Sequence, residues 1–360
     1  MSIPSYNRGE WAELYVLAKV LCDQSITVQV HGEGSAQRSL SVLKVKRGTT
    51  STVESFSVNG IGITCDHTSK EVQREEICLR VPALLRSIKN GKGNSFHLEE
   101  GEEMMRLLDI KQLKQGSGIK SDLFINVIDP LTGNTGIQGY SIKALLGSKP
   151  TLLNASGPTN LAYRIEPSLS TEQINEYNRT DKSGKLVHGI RDTVQEIIAD
   201  GHQVICVEVD ARFRENLELL DSKMPEFVSE ALLAYYSRQV GKDASVLNTI
   251  RSLSNSNPLE VKNSDFWYLH KIKDLLEASA YGMVPTEPYN GERTAAGGLL
   301  LVQRDGSLLC FRLDDKDRTR DYLVEHTYFE TASRQKHNFG LIESVDGHTQ
   351  IKLNLQVRYK

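Results

Sequence analysis

Residues 122–145 read DLFINVIDPLTGNTGIQGYSIKAL. Residues 122–128 alternate, with Leu123, Ile125 and Val127 on one face, as in a strand with one covered side. The turn formers of 129–136 (DPLTGNTG) follow, then a second strand over 137–145 (IQGYSIKAL). With the turn centred between residues 132 and 133, Asp122 stands opposite Lys143 and Phe124 opposite Ser141. Period-two alternation then places Asp122, Ser141 and Lys143 on one face. A carboxylate beside a lysine at the frayed end of a sheet suits phosphodiester hydrolysis. The acid can hold Mg²⁺, and the lysine can stabilise charge on the phosphate or position a water. The plainer alternative is a surface cross-strand ion pair, contributing about 0.2–1 kcal/mol.

Outward from this hairpin the pattern predicts a mixed α/β chain. Residues 9–22 (GEWAELYVLAKVLC) carry Trp11, Leu14, Tyr15, Ala18, Leu21 and Cys22 on one face at helical spacing. Strands are expected at 27–31, 39–46 and 51–58, and helices at 81–89 and 99–108. Beyond Pro150 the pattern gives helices at 171–177, 190–200, 226–239 and 265–280, a strand at 202–209, and a serine- and asparagine-rich loop at 252–257. Hairpins turn at Asp305–Gly306 and Asp346–Gly347. No interdomain linker stands out. The reading is one unit with four subregions: an N-terminal helix (1–25), a β-rich insertion (26–80), a catalytic core (81–250) and a C-terminal extension contributing to recognition (251–360).

Composition permits this and excludes other classes. The 360 residues carry a net charge of −3, so a cleft binder of nucleic acid is allowed but a uniformly basic coating protein is not. Acidic residues gather at 99–103 (EEGEE) and 314–321 (DDKDRTRD), and basic ones at 44–47, 89–92, 111–120 and 334–337. No apolar run approaches the roughly 18 residues of a membrane span, and the N-terminus lacks a signal-peptide pattern. Five scattered cysteines without a CxxC pair read as small core residues in a reducing cytoplasm. There is no Walker A loop, no Gly-x-Gly-x-x-Gly after a strand and no His-Glu-x-x-His pair.

A single carboxylate is a thin metal site. The opening helix offers two more, Glu10 and Glu13, and the pattern leaves open which of them, if either, reaches the sheet. Several strings then carry a resemblance: 9–15 (GEWAELY), 140–154 (YSIKALLGSKPTLLN) with Thr159–Asn160, 327–340 (TYFETASRQKHNFG) and 351–359 (IKLNLQVRY). Together they resemble the HpaII-like type II restriction endonucleases of the PD-(D/E)XK nuclease superfamily, from near the start of the chain to its end. The resemblance implies a mixed β-sheet flanked by helices, with Asp122 as the first acid of the motif and Lys143 as its lysine. Ser141 stands where the superfamily has Asp or Glu, which implies a second acid from elsewhere or a water-mediated contact from Ser141. The resemblance further implies a glutamate from the helix preceding the core in a Gly-x-x-x-Glu pattern, which Gly9 and Glu13 match, so that it favours Glu13 over Glu10, with Glu166 a weaker stand-in.

The same resemblance implies double-stranded DNA as substrate, CCGG or a related GC-rich site, Mg²⁺ with Mn²⁺ able to substitute, and a cognate DNA methyltransferase in the host. Ser148, Lys149, Asn154 and Asn160 follow the catalytic strand and suit phosphate and base contacts, or turn and helix caps. Arg334 suits guanine O6 and N7, Lys336 a phosphate, with Gln335 and His337 beside them. Oligomeric state stays open. Two other accounts compete: a structure-specific repair nuclease on the same core, and a DNA-binding protein whose nuclease centre has decayed.

Overall fold

The computed structural model describes residues 5–29, 37–49, 52–114, 121–130, 133–147, 149–239, 244–292, 295, 297–312 and 316–360. Ser148, turn residues 131 and 132, and residues 115–120 of the expected basic run lie outside them. The chain forms two compact units, Met1–Pro150 with Arg293–Thr319, and Thr151–Glu292 with Arg320–Lys360. The span 81–250 and the span 251–360 are each shared between the two.

In chain order the first unit supplies α1 (Arg8–Asp23), β1 (Ser25–Gln29), β2 (Gln37–Thr49), β3 (Thr52–Val58), β4 (Gly62–Cys65), β5 (Lys70–Gln73), α2 (Arg74–Asn90), α3 (Glu99–Leu107), β6 (Leu123–Asp129) and β7 (Gly133–Ala144). The second supplies β8 (Thr151–Leu153), β9 (Asn160–Glu166), α4 (Thr171–Tyr177), α5 (Ile190–Ala199), β10 (Gln203–Glu208), α6 (Ala211–Leu220), α7 (Met224–Tyr236), α8 (Val246–Ser256) and α9 (Ser264–Tyr281). The first unit resumes with β11 (Gly298–Val302) and β12 (Leu308–Phe311). After these come α10 (Lys316–His326), β13 (Thr327–Phe329), α11 (Arg334–His337), β14 (Ile342–Val345), β15 (His348–Asn354) and β16 (Val357–Tyr359).

The sheet of the first unit runs β1-β12-β11-β7-β6-β2-β3-β4-β5, and β1 also pairs with β2. Six strands therefore close on themselves in a ring, and β3 to β5 continue outward as the β-rich arm. The closure is possible because β2 is long: residues 37–41 pair with β1, while residues 44–49 pair with β3. Alternate residues of the ring, including Val42, Val45, Leu123, Ile125, Val127, Tyr140, Ile142, Leu300 and Val302, join one core with residues of α1, α2 and α3. Asp129, 1% exposed, accepts from Arg38 at 2.9 Å and Arg312 at 3.1 Å. Arg312 follows β12, which is not a neighbour of β6 in the ring, so this triad links strands that the ladder does not.

Helix α1 begins with a capping box. Asn7 accepts from the Glu10 amide at 3.0 Å, and Glu10 accepts from the Asn7 amide at 2.7 Å. The apolar stripe expected on one face turns out to be burial nearly all round. Ala12, Val16, Leu17 and Val20 are covered as fully as Trp11, Leu14, Tyr15, Ala18 and Leu21.

The second unit holds two antiparallel sheets, β10-β9-β15-β14 and β13-β16-β8. Its helices bury Phe213, Phe227, Leu232, Tyr236, Tyr268, Ile272 and Leu276. The expected loop at 252–257 lies mostly within α8. Ser245 caps that helix through the Asn248 amide, and Val246, Ile250 and Leu253 are buried at helical spacing. The polar composition reflects its other face.

The hairpin register also differs from expectation. Leu123 pairs with Tyr140 and Phe124 with Gly139, beyond a bulge between Asn126 and Ile128, while Asp129 pairs with Gly133 at the turn. From Leu123 to Asn126 every partner is shifted by two residues from the expected register, and continuing it sets Asp122 beside Ser141 rather than Lys143. Parity is unchanged, so all three remain on one face. A second correction concerns cysteine: Cys22 and Cys78 form a disulfide linking α1 and α2, with Cα atoms 5.1 Å apart. Cys65 and Cys310 are buried free thiols, while Cys206 is a partly exposed one. Among the described residues no helix is long and apolar enough to cross a membrane.

Candidate active site and recognition segments

Asp122 sits just before β6. Its amide donates to the Tyr140 carbonyl at 2.9 Å, and its Oδ2 accepts from the Ile142 amide at 2.5 Å. Ser141, 7% exposed, adds a side-chain hydrogen bond to the same carboxylate. Burial raises the Asp122 pKa above its ordinary value, opposed by the Ile142 amide, the Lys143 charge and Ser141. The serine at the position of the expected second acid therefore supports Asp122. Lys143 lies two residues further along the same face, half-buried, and parallel strand β11 sets Leu299 beside Ser141 and Leu301 beside Lys143.

Of the two glutamates on α1, Glu10 is used by the capping box. Glu13 is half-buried in a helix otherwise covered on both flanks. Its pKa is pushed up to about 8, first by burial and then by the Asp122 charge, against the lowering effects of Arg47 and Lys143. The structure thus brings Glu13, Asp122, Ser141 and Lys143 together. Among the described residues no group of three or more His, Cys, Asp or Glu is placed to hold a metal ion. Glu166 belongs to the second unit, where it pairs with Arg164 at 2.6 Å.

The sequence reading missed Arg47, counting it only within a basic run. The residue is 4% exposed, pairs with Glu54 at 2.5 Å, and donates to the carbonyls of Gln112 (3.0 Å) and Leu113 (2.8 Å). It anchors the stretch leading towards Asp122 and sets a positive charge near Glu13. Lys44 of the same run is tied to Asp66 at 2.8 Å. No local signal separates these roles, because both partners come from other elements.

The buried acid makes a pH prediction. A carboxyl with a raised folded pKa binds more protons folded than unfolded, so its contribution to stability falls as pH rises between its unfolded and folded values. For Glu13 this window runs from 4.5 to about 8. In chelator, Glu13→Gln is expected to melt higher than the parent at pH 8, and this gain should shrink as pH drops towards 4.5. Parallel melting-temperature profiles for the two proteins would remove Glu13 from the strained pair.

In the second unit, Asn160 acts as a tether. It donates to the His337 carbonyl at 2.8 Å and accepts from Asn354 at 2.7 Å. Asn354, fully buried, points its amide nitrogen also at Thr159 Oγ1 (3.0 Å) and the Ser156 carbonyl (3.1 Å), its two protons shared among the three acceptors. This amide relay fixes the 156–160 turn and α11 relative to each other. Asn354 was missed because it alternates along β15 like any strand residue. Arg334 is half-buried and donates to the Gly184 carbonyl at 2.9 Å. Gln335 and Lys336 are exposed, and burial followed by the Lys336 charge pulls the His337 pKa down. Asn154 is exposed in this unit, and Lys149 is exposed in the first.

Comparison with known proteins agrees across the chain. No solved structure matches it. The type II restriction enzyme HpaII of Haemophilus parainfluenzae is 34% identical over 366 aligned positions, covering 99% of this chain and 98% of that protein. The family model described as HpaII restriction endonuclease matches residues 7–359. With a match of that extent and a relative at that identity, the chain belongs to the HpaII restriction endonuclease family.

Proposed function

We propose that the chain is a metal-dependent type II restriction endonuclease, hydrolysing phosphodiester bonds of double-stranded DNA at a short GC-rich site such as CCGG. The observation that carries this reading is the gathering of Asp122, Glu13 and Lys143, held by Ser141 and the Ile142 amide. The run β2-β6-β7-β11 supports a PD-(D/E)XK core: its first three strands are antiparallel, its last is parallel, and its acid and lysine lie on one face.

The donor set fits Mg²⁺. Both carboxyls are shifted up by burial, and the Asp122 charge raises the proton affinity of Glu13 further, a state that a divalent cation relieves. Mg²⁺ commonly takes only one or two protein carboxylates, completing its shell with water and substrate phosphate. Asp122 and Glu13 would hold it, with Mn²⁺ able to substitute, and the bound ion would supply Lewis-acid polarisation of the scissile phosphate. Lys143 stabilises charge developing on the phosphate oxygens. Ser141 fixes the Asp122 rotamer.

The direct test incubates the purified chain with Mg²⁺ and unmethylated plasmid, then sequences every fragment end. The expected result is a discrete set of ends sharing CCGG or a close variant, with none formed in chelator. Random ends would sink the site-specific reading, ends only at branches or mismatches would make this a structure-specific nuclease, and intact plasmid with both Mg²⁺ and Mn²⁺ would mark a decayed centre.

A further inference from the structure

The segment after α4, between the two expected helices, is a well-defined hairpin. Thr180 and Leu186 form an antiparallel bridge, the Val187 amide donates to the Arg179 carbonyl at 2.9 Å, and the Asp181 amide donates to Lys185 at 2.7 Å. The tip is folded around Asp181. Its Oδ1 accepts from the Ser183 amide (2.8 Å), the Ser183 hydroxyl (2.6 Å) and the Lys185 amide (3.0 Å). Gly184 takes φ +77°, where a side chain would be strained.

This tip docks on the segment expected to read DNA. Arg334 donates to the Gly184 carbonyl, and a Cβ on Gly184 would come within 3.3 Å of Gln335 Nε2. At the hairpin's base, Asn178 exchanges two hydrogen bonds with Ile342, at 2.7 and 2.9 Å. The hairpin and α11 therefore form one platform within the second unit. Its charges are unevenly spent. Glu176 is met by Arg179 and His188, and Asp181 is turned onto its own tip. Lys182, Lys185 and Lys336 are exposed and, among the described residues, form no salt bridge.

We infer that the 179–187 hairpin is a phosphate-gripping arm of the DNA interface, in which Lys182 and Lys185 each neutralise one backbone phosphate and Arg334 locks the arm to α11. The inference rests on the proposed reading of the chain as a DNA-acting enzyme. Contacts of this kind fix register on the duplex without reading sequence. They also release counterions, so each leaves a mark on the salt dependence of binding.

The test measures binding of the full chain to fluorescent duplexes with and without CCGG, in chelator, across a salt series. In Lys182→Gln/Lys185→Gln the slope of log affinity against log salt is expected to fall by about 2, equally on both duplexes. Both side chains are exposed, so the melting temperature should stay unchanged. Arg334→Ala is expected to lose a comparable amount, more than one charge accounts for, because it frees the arm. An unchanged slope in the double-lysine variant, with the parent still binding, overturns the arm alone. If the parent binds no duplex at any salt, the DNA-acting reading falls with it.

Discussion

Asp122→Asn and Lys143→Met are each expected to slow cleavage by roughly 10²–10³-fold or more, while leaving duplex binding in chelator nearly intact. The asparagine keeps the shape that accepts the Ile142 amide, so the change removes charge rather than structure. Lys143→Met keeps the half-buried stem and deletes the ammonium. Ser141→Ala should act more mildly, about 10–100-fold, because it loosens Asp122 without removing it. Single-turnover cleavage on a saturated site is the measurement. For Ser141→Ala, a restored rate at higher Mg²⁺ would identify positioning of the carboxylate as the defect. Parental turnover in a folded Asp122→Asn protein would move the chemistry elsewhere.

The second large effect concerns stability. Asp129→Ala leaves Arg38 and Arg312 facing each other in a site from which their shared carboxylate has been removed. Breaking a buried ion network by removing one partner typically costs about 3–5 kcal/mol. The expected drop in melting temperature is on the order of 10 °C. Adding Arg38→Met and Arg312→Met to Asp129→Ala should recover much of it, since it removes the two like charges that the carboxylate held together. Calorimetry of the parent, Asp129→Ala and the triple variant separates these terms, and an unshifted Asp129→Ala transition would show that the triad does not stabilise the ring.

Local pattern made much of this molecule legible. The 122–145 hairpin, α1, the β-rich arm and the Asp305–Gly306 turn all rest on contacts between residues close in sequence, where periodicity and turn chemistry operate. Asp122, Ser141 and Lys143 fell on the right face because a register error of two residues preserves parity. What stayed hidden depends on distant partners. Closure of the ring needs Val28 to meet Cys310, and the disulfide needs Cys22 to meet Cys78 across 56 residues. Neither leaves a periodic trace. Arg47 and Asn354 look like ordinary strand residues until the carbonyls, acid and amides that they serve arrive from elsewhere. The choice of Glu13 over Glu10 rested on a resemblance; the capping box supplies a physical reason for the same placement.

The path of the chain through the ring has a consequence for biosynthesis. Strand β7 ends at Ala144, but its parallel neighbour β11 begins only at Gly298. A ribosome adding about 5–20 residues per second needs roughly 8–30 s to make the intervening chain. Throughout that interval the edge of β7 bearing Ser141 and Lys143 has no partner, which makes the nascent protein vulnerable to wrong strand pairing. On the proposed reading of the site the same delay is protective: Leu299 and Leu301 lie beside Ser141 and Lys143, so a truncated translation product lacks the strand that completes this edge.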